Sequence, residues 1–388
     1  MLVGVGGMRA QLRLTEQEAV QLALRHHPAM AVAGLEVRRQ DILRKAPVPW
    51  SQAQVFHNVA ADPDLGLFGT SSLGIQQSFP SLRSARALRD LYGRLREQAL
   101  AQEAMTAQDI TRQVREIFHH LSYLEGKLAL YQRLDSLYLR LGAGAEARYR
   151  AGDISTAEKL ALADKSTRMG LNVRTIRHEI EFDRVVLQQL LGLDEAVEPV
   201  VKPLYEGGFS STDSTLLRTA ARARYSEAAV SVAKSQGDLV AAESAPTFTV
   251  GVFGQYLANG AFYPGWQLGM NIPLVRKALS VQQEAARTDL ARSQAAYRQV
   301  LLEQQTAWGH LLHEQEKYQL MLDYYTREGK QLAAVLIREG EANYLGGEIS
   351  FSDFILLQEQ AAAIETGHLE DLLGLNQTII AMEALTGR

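Results

Sequence analysis

The segment Tyr149-Arg150-Ala151-Gly152-Asp153-Ile154-Ser155 recurs as Tyr344-Leu345-Gly346-Gly347-Glu348-Ile349-Ser350, displaced by 195 residues. Leu190-Leu191-Gly192 recurs as Leu385-Thr386-Gly387 at the same displacement, and Phe79-Pro80 is echoed by Ile272-Pro273. Solenoid repeats have periods of about 20–50 residues, so this spacing marks a duplicated structural unit instead. The 388-residue chain divides into a first repeat over 1–193, a linker over 194–213 and a second repeat over 214–388, within one extended domain. Pro199, Pro203 and Gly207-Gly208 mark the linker.

Each half reads as a helix, two short alternating stretches, a very long helix, a turn and a second helix. In the first half Thr15-x-x-Glu18 is a capping box, in which hydroxyl and carboxylate each accept from the other residue's backbone amide. Ala19, Leu22 and Ala23 follow at helical spacing. Pro28 interrupts the helix because it lacks an N–H and clashes with the preceding turn; Pro47 and Pro49 end it. The matching helix of the second half runs over 214–243 and stops before Pro246. From Ser81 to Leu141 there is no proline. Ile110, Val114, Ile117, Leu121, Leu124, Leu128, Tyr131, Leu134, Tyr138 and Leu141 step at three and four, a coiled-coil-like seam. About 60 helical residues span roughly 90 Å, more than a compact globule accommodates. The second half matches over 277–338.

The alternating stretches predict four strands. Phe248, Val250, Val252 and Tyr256 fall on one face, opposite Thr247, Thr249, Gly251, Phe253 and Gln255. After the turn signal Asn259-Gly260, Trp266, Leu268, Met270 and Ile272 alternate with Gln267, Gly269 and Asn271. The first half supplies Leu73, Ile75 and Phe79 against Ser72, Gly74, Gln76 and Ser78, and a weaker strand over 52–59 with Val55 and Val59 on one face. The stretches have the length of a membrane-spanning strand, about 9–11 residues. Trp266, Tyr263 and Tyr256 are read as lying near strand ends, where an aromatic girdle belongs. Four strands are too few to close a barrel, and open edges are not tolerated in lipid. Closure needs several chains; three give twelve strands, within the known range of about 8–26. In a soluble sandwich the same apolar face would meet a second sheet.

Composition narrows the alternatives. Aromatic content is 7%, and the middle of the chain is rich in Ala, Leu, Gln, Arg and Glu, as long helices require. The net charge of −4 gives no basic field for nucleic acid. There is no cysteine, which excludes disulfides, thiolate metal sites and a lipid-modified cysteine. No apolar run reaches the roughly 18 residues of a transmembrane helix. Met1 to Leu14 lacks the basic start and apolar stretch of a secretory signal. The phosphate loop and the nucleophile elbow are both missing, and Gly4-Val5-Gly6-Gly7 does not follow a strand, so no enzyme is expected. His310 and His313, and the pair His119-His120, lack the further ligands of a metal site; no metal and no cofactor are expected.

Leu14-Thr15-Glu16-Gln17-Glu18-Ala19-Val20, with His26-His27-Pro28, resembles the opening segment of TolC-type outer-membrane efflux proteins. That segment usually carries Asn-Asn-Pro where this chain has His26-His27-Pro28. The two Gly-[Asp/Glu]-Ile-Ser turns, the duplicated plan, the long helices and the hairpin before Pro273 also match, and the flavour is closest to the heavy-metal (Cus/Czc-like) branch. The resemblance implies a mainly α chain with a small β part: long antiparallel helical hairpins plus four membrane-length strands. It implies a homotrimer whose twelve-stranded barrel sits in outer-membrane lipid and continues as a helical tunnel through the periplasm. The implied partners are a periplasmic adaptor (membrane fusion) protein and a proton-driven inner-membrane pump, and the cargo heavy-metal cations. A soluble coiled-coil scaffold is the alternative; it has no need of four strands with one dry face.

Within this frame Ser155-x-x-Glu158 and Ser350-x-x-Asp353 read as helix N-caps, with Gly152 and Gly347 closing the preceding helices. The resemblance places both turns at the periplasmic tip, so Gly152, Ser155, Gly347 and Ser350 are candidate adaptor-docking residues. Asp153, Glu158, Glu348 and Asp353 are candidate tunnel-gate carboxylates, repeated around a trimer axis where they would attract cations. Leu73, Ile75, Phe79, Phe248, Val250, Val252, Trp266, Leu268, Met270 and Ile272 are the expected membrane-facing residues. The neutral opposite face implies a passive conduit.

Overall fold

A computed structural model describes residues 12–46, 52–62, 66–209, 214–257, 260–272 and 276–387. Gly4 to Gly7, Pro47, Pro49, Asn259 and Pro273 lie outside the described residues.

Strand β1 (Leu12–Leu14) leads into helix α1 (Glu16–His26). Its capping box is closed from both sides: Glu18 N–H donates to Thr15 Oγ1 at 3.4 Å, and Thr15 N–H donates to Glu18 Oε2 at 2.9 Å. Pro28 opens helix α2 (Pro28–Lys45) after an extended His27. The proline thus takes the first position of a new helix, where its missing N–H would have been unpaired anyway. His27 Nδ1 accepts from Ala29 N–H at 3.1 Å. Strands β2 (Gln54–Asp62) and β3 (Gly66–Phe79) form a hairpin. Helix α3 (Leu82–Ala151) then runs 70 residues, and α4 (Thr156–Leu191) returns. The expected long helix ended at Leu141; α3 continues ten residues further because Ala145 still packs into a core.

Strand β4 (Val197–Pro199) pairs in parallel with β1, so the expected linker opens with a strand. It continues as a strap: Ser122 Oγ donates to Lys202 O at 2.7 Å, and Asn376 exchanges hydrogen bonds with both backbone groups of Tyr205. The second half opens with a short 3-10 helix, Ser214–Thr219, and a bend at Ala220, where a continuous helix was expected. It proceeds through α5 (Ala221–Glu243), β5 (Thr247–Leu257), β6 (Phe262–Asn271), α6 (Arg276–Tyr324), α7 (Lys330–Gly346) and α8 (Phe351–Thr386). Between α6 and α7 the turn Tyr325–Gly329 is π-helical, with Lys330 N–H donating to Tyr325 O. The Tyr325 ring stacks on His368 with centroids 3.6 Å apart.

The chain forms two compact units. The helical unit comprises Met1–Ala31, Thr106–Ala220 and Glu303–Arg388. Within it the seam is realised: Ile110, Val114, Leu121, Leu124, Leu134, Tyr138 and Leu141 are buried, with Ile117, Leu128 and Tyr131 half-buried. Those from Ile110 to Tyr131 meet Ile176, Ile180, Leu187 and Leu191 of α4, and Tyr138 and Leu141 pack with Leu162. Arg115 bridges Glu16 at 2.8 Å and Glu383, tying α1 and α8 to α3. Burial opposes the Arg115 charge, but the two carboxylates outweigh it and raise its pKa.

The strand-bearing unit comprises Val32–Met105 and Ala221–Leu302. Its sheet has the order β2-β3-β5-β6, all antiparallel, so the hairpins of the two halves join through β3 and β5. Its buried helix residues are mostly small, Ala33, Ala99, Ala223, Ser226, Ser235 and Ala242, joined by Gln40 and Leu91.

Candidate functional site

Register fixes which strand residues share a face. Phe79 pairs with Phe248 and Phe248 with Met270; Ile75 pairs with Val252 and Val252 with Trp266; Val250 pairs with Leu268. Val55 joins opposite Ile75, and Leu73 lies on the same face opposite Gly254. The expected membrane-facing residues are therefore one surface. Leu73, Ile75, Phe248, Val250, Val252, Trp266, Leu268, Met270 and Ile272 are all exposed, from 45% at Val250 to 73% at Trp266, and Phe79 is half-buried. Ile272 falls one residue beyond the end of β6. Three polar side chains interrupt the face, Gln77, His57 and Ser71; His57 Nε2 hydrogen-bonds Ser71 Oγ at 2.9 Å.

Apolar side chains of this size gain about 1.5–3 kcal/mol each on full burial. A face carrying so many of them is far beyond the scattered hydrophobics normal on a soluble surface. Two edges are also open among the described residues, on β2 and β6.

The opposite face is neutral. Gln267 Nε2 donates to Gln76 Oε1 at 2.5 Å, and Gln76 Nε2 donates to Gln54 Oε1 at 2.6 Å. Ser78 Oγ and Thr249 Oγ1 lie 3.0 Å apart, and Asn271 Nδ2 donates to Thr249 Oγ1 at 3.2 Å. Phe56 and Phe253 lie over Gly74 and Gly265: a Cβ on Gly74 would come within 2.5 Å of the Phe56 ring, and one on Gly265 within 2.5 Å of the Phe253 ring. Rings thus cover the glycine gaps of an otherwise polar surface. The aromatic girdle differs from expectation. Trp266 pairs with Val252 in mid-strand, and Tyr263 pairs with Gln255 on the polar face. The aromatic pair at the strand ends of the apolar face is Tyr256 and Phe262, with ring centroids 5.0 Å apart.

In the helical unit, the two repeated turns have the capping geometry expected of them. Gly152 and Gly347 adopt φ of 83° and 75°, the left-handed region open to glycine. Ser155 Oγ accepts from Glu158 N–H at 3.1 Å, and Ser350 Oγ from Asp353 N–H at 3.2 Å. Asp353 Oδ2 accepts in return from Ser350 Oγ at 2.7 Å.

The sequence hid how the two turns meet. Tyr149 and Tyr344 are repeat equivalents, yet Tyr149 is exposed at 39% and Tyr344 is buried at 2%. Tyr344 sits among Ile154, Phe354 and Tyr138, stacks on Phe354 with centroids 4.8 Å apart, and donates its hydroxyl to Glu158 Oε1 at 2.6 Å. Arg148 lies 4.9 Å from the Tyr344 ring centroid. Glu158 and Asp353 are thus hydrogen-bonded locally; Asp153, Glu348 and Asp353 are exposed and Glu158 is half-buried. The only hint in the sequence was the repeated tyrosine itself. Of the histidines considered for metal, His120 pairs with Asp183 at 2.6 Å, while His310 and His313 are exposed. Among the described residues no group of three His, Asp or Glu converges, and no helix is long and apolar enough to cross a membrane.

Neither a scan of protein-family models nor a search of curated proteins gives a match. Solved structures do match. The outer membrane protein VceC from Vibrio cholerae superposes with a TM-score of 0.80 at 15% identity, covering 96% of this chain and 96% of that one. CusC, described with its transmembrane channel formation, gives 0.77 at 15% identity over 96% and 91%. The MtrE outer membrane channel of Neisseria gonorrhoeae gives 0.74 at 14% identity over 96% and 88%. The chain has the TolC-type channel fold, mainly helical with a small sheet part.

Burial pushes the Tyr344 hydroxyl up to about 12, reinforced by the bond to Glu158, and burial also pushes Tyr138 to about 12. An unfolded tyrosine ionises near 10, so the folded protein holds these protons longer. Their contribution to stability is complete below pH 10 and is lost as pH rises towards 12. Spectrophotometric titration should show two late tyrosine steps, and Tyr344→Phe should remove one of them; an unchanged titration would contradict the buried contact.

Proposed function

We propose that this chain is one protomer of a TolC-type outer-membrane export channel, a passive conduit in an efflux assembly. The observation that carries this reading is the exposed apolar sheet face, backed by a neutral face whose Gln54, Gln76, Gln267, Ser78, Thr249 and Asn271 side chains hydrogen-bond across the strands. Lipid accepts the first surface and a water-filled lumen the second. Three copies close twelve strands and leave no edge in the hydrocarbon. The partners are a periplasmic adaptor and an inner-membrane, proton-driven pump. A cargo of heavy-metal cations rests on the sequence resemblance alone; VceC and CusC have the same 15% identity to this chain.

Val250 and Leu268 pair in mid-strand on the apolar face. A lysine in mid-membrane costs about 2–4 kcal/mol. Val250→Lys with Leu268→Lys should therefore strip the protein from the outer-membrane fraction, while Gln255→Lys on the other face should leave it there. Equal recovery of both variants would contradict a lipid-facing surface.

The turns are the adaptor-docking elements in this reading. A Cβ at Gly152 or Gly347 meets nothing within 4 Å, and the left-handed backbone opposes a side chain there by at least about 1–2 kcal/mol. Gly152→Val with Gly347→Val should leave the oligomer assembled and abolish export; normal export would remove the turns from the docking surface.

Asp153 and Glu348 are exposed carboxylates of the proposed cation-attracting gate, with Glu158 and the likewise exposed Asp353 shaping it from their capped positions. Asp153→Asn with Glu348→Gln should lower cation conductance in planar bilayers severalfold, and unaltered conductance would eliminate the gate role.

A further inference from the structure

The strand-bearing unit contains a cleft of about 900 Å³ between the last turn of α2, the first turns of α3 and the C-terminal half of α5. Arg44, Arg83, Arg86 and Arg89 line it. Two other arginines there are engaged, Arg94 with Glu97 at 2.8 Å and Arg96 with Asp41 at 2.6 Å. Arg44, Arg83, Arg86 and Arg89 are exposed, and none has an ion-pair partner among the described residues. Asp90 and Asp238 also line the cleft and leave its balance basic.

We propose that this cleft binds the phosphate of an anionic phospholipid headgroup. The inference rests on the reading that the apolar sheet face sits in lipid. Unpaired guanidinium groups gathered in one cleft repel each other, and a phosphate offers the oxygen pairs that guanidinium forks match. Position selects a lipid over a free phosphate. Phe79 is the last apolar strand residue, and Arg83 follows four residues later. From Arg83 to Arg89 α3 rises about 9 Å, close to the headgroup layer of about 5–8 Å on each side of a bilayer. Leu82, next to Arg83, is 79% exposed, and Ile42, two residues before Arg44, is 61% exposed. Apolar and cationic groups therefore alternate at the end of the apolar sheet face, an arrangement that suits acyl chain and phosphate together.

The test uses the full chain extracted from outer membranes in mild detergent. It is incubated with equal amounts of phosphatidylglycerol and phosphatidylcholine, and retained lipids are counted by native mass spectrometry. The wild type should retain phosphatidylglycerol preferentially. Arg83→Gln with Arg86→Gln and Arg89→Gln should erase that preference, by about fivefold for each arginine removed, with phosphatidylcholine retention unchanged. The corresponding triple lysine variant should keep a preference, which separates lost charge from lost folding. Soluble glycerol phosphate at the same concentration should not displace the lipid; full displacement would assign the cleft to free phosphate and overturn the proposal. Equal retention of both lipids by a membrane-extracted wild type would also overturn it while leaving the channel reading intact. A chain never found in the membrane fraction would overturn the channel reading before any lipid is added, and this inference with it.

Discussion

Everything in this molecule depends on a sheet that its own chain leaves uncovered. The hydrophobic effect drives apolar surface out of water, yet the face running from Val55 across Ile75 and Val252 to Trp266 stays open. The strand-bearing unit packs its helices mostly through Ala and Ser, with Leu91 and Gln40, and the apolar strand residues stay exposed. An uncovered dry face and two edges that are free among the described residues are liabilities in water, where they template aggregation. In lipid the first becomes a requirement and the second is relieved by closure with further copies.

Duplication builds this arrangement economically. Each half contributes one hairpin, and β3 and β5 join them edge to edge. In the helical unit the halves have diverged in environment while keeping their turns. Gly152 and Gly347 share one backbone conformation, and Ser155 and Ser350 share one capping role. Their tyrosines do not share a fate: Tyr344 is enclosed and bonded to Glu158, whereas Tyr149 stays open with Lys159 4.7 Å from its ring. Two copies of one motif thus provide one enclosed tyrosine and one exposed tyrosine, whose hydroxyl accepts from Thr156 Oγ1 at 3.3 Å.

Much of this was legible in the sequence because its signals are local. The Thr15 capping box, the Pro28 break, the seam from Ile110 to Leu141 and the strand alternation each follow from backbone chemistry or periodicity. What stayed hidden depends on partners distant in sequence. The β1–β4 pair involves three residues on each side, too short to show alternation. The π-helical turn at Tyr325–Gly329 accompanies a stack on His368 in another helix. Trp266 was misplaced because β6 begins at Phe262, four residues before it. The Tyr344–Glu158 bond spans 186 residues and has no signature beyond a repeated tyrosine.

The central claim is that the sheet's apolar face meets lipid and that several chains close one barrel. Native mass of the detergent-extracted protein, expressed behind a secretory signal, tests it most directly. The account predicts a stable trimer recovered from the outer-membrane fraction. A water-soluble monomer or dimer, never found with membranes, would contradict it and favour a coiled-coil scaffold whose dry strands pack against something other than lipid.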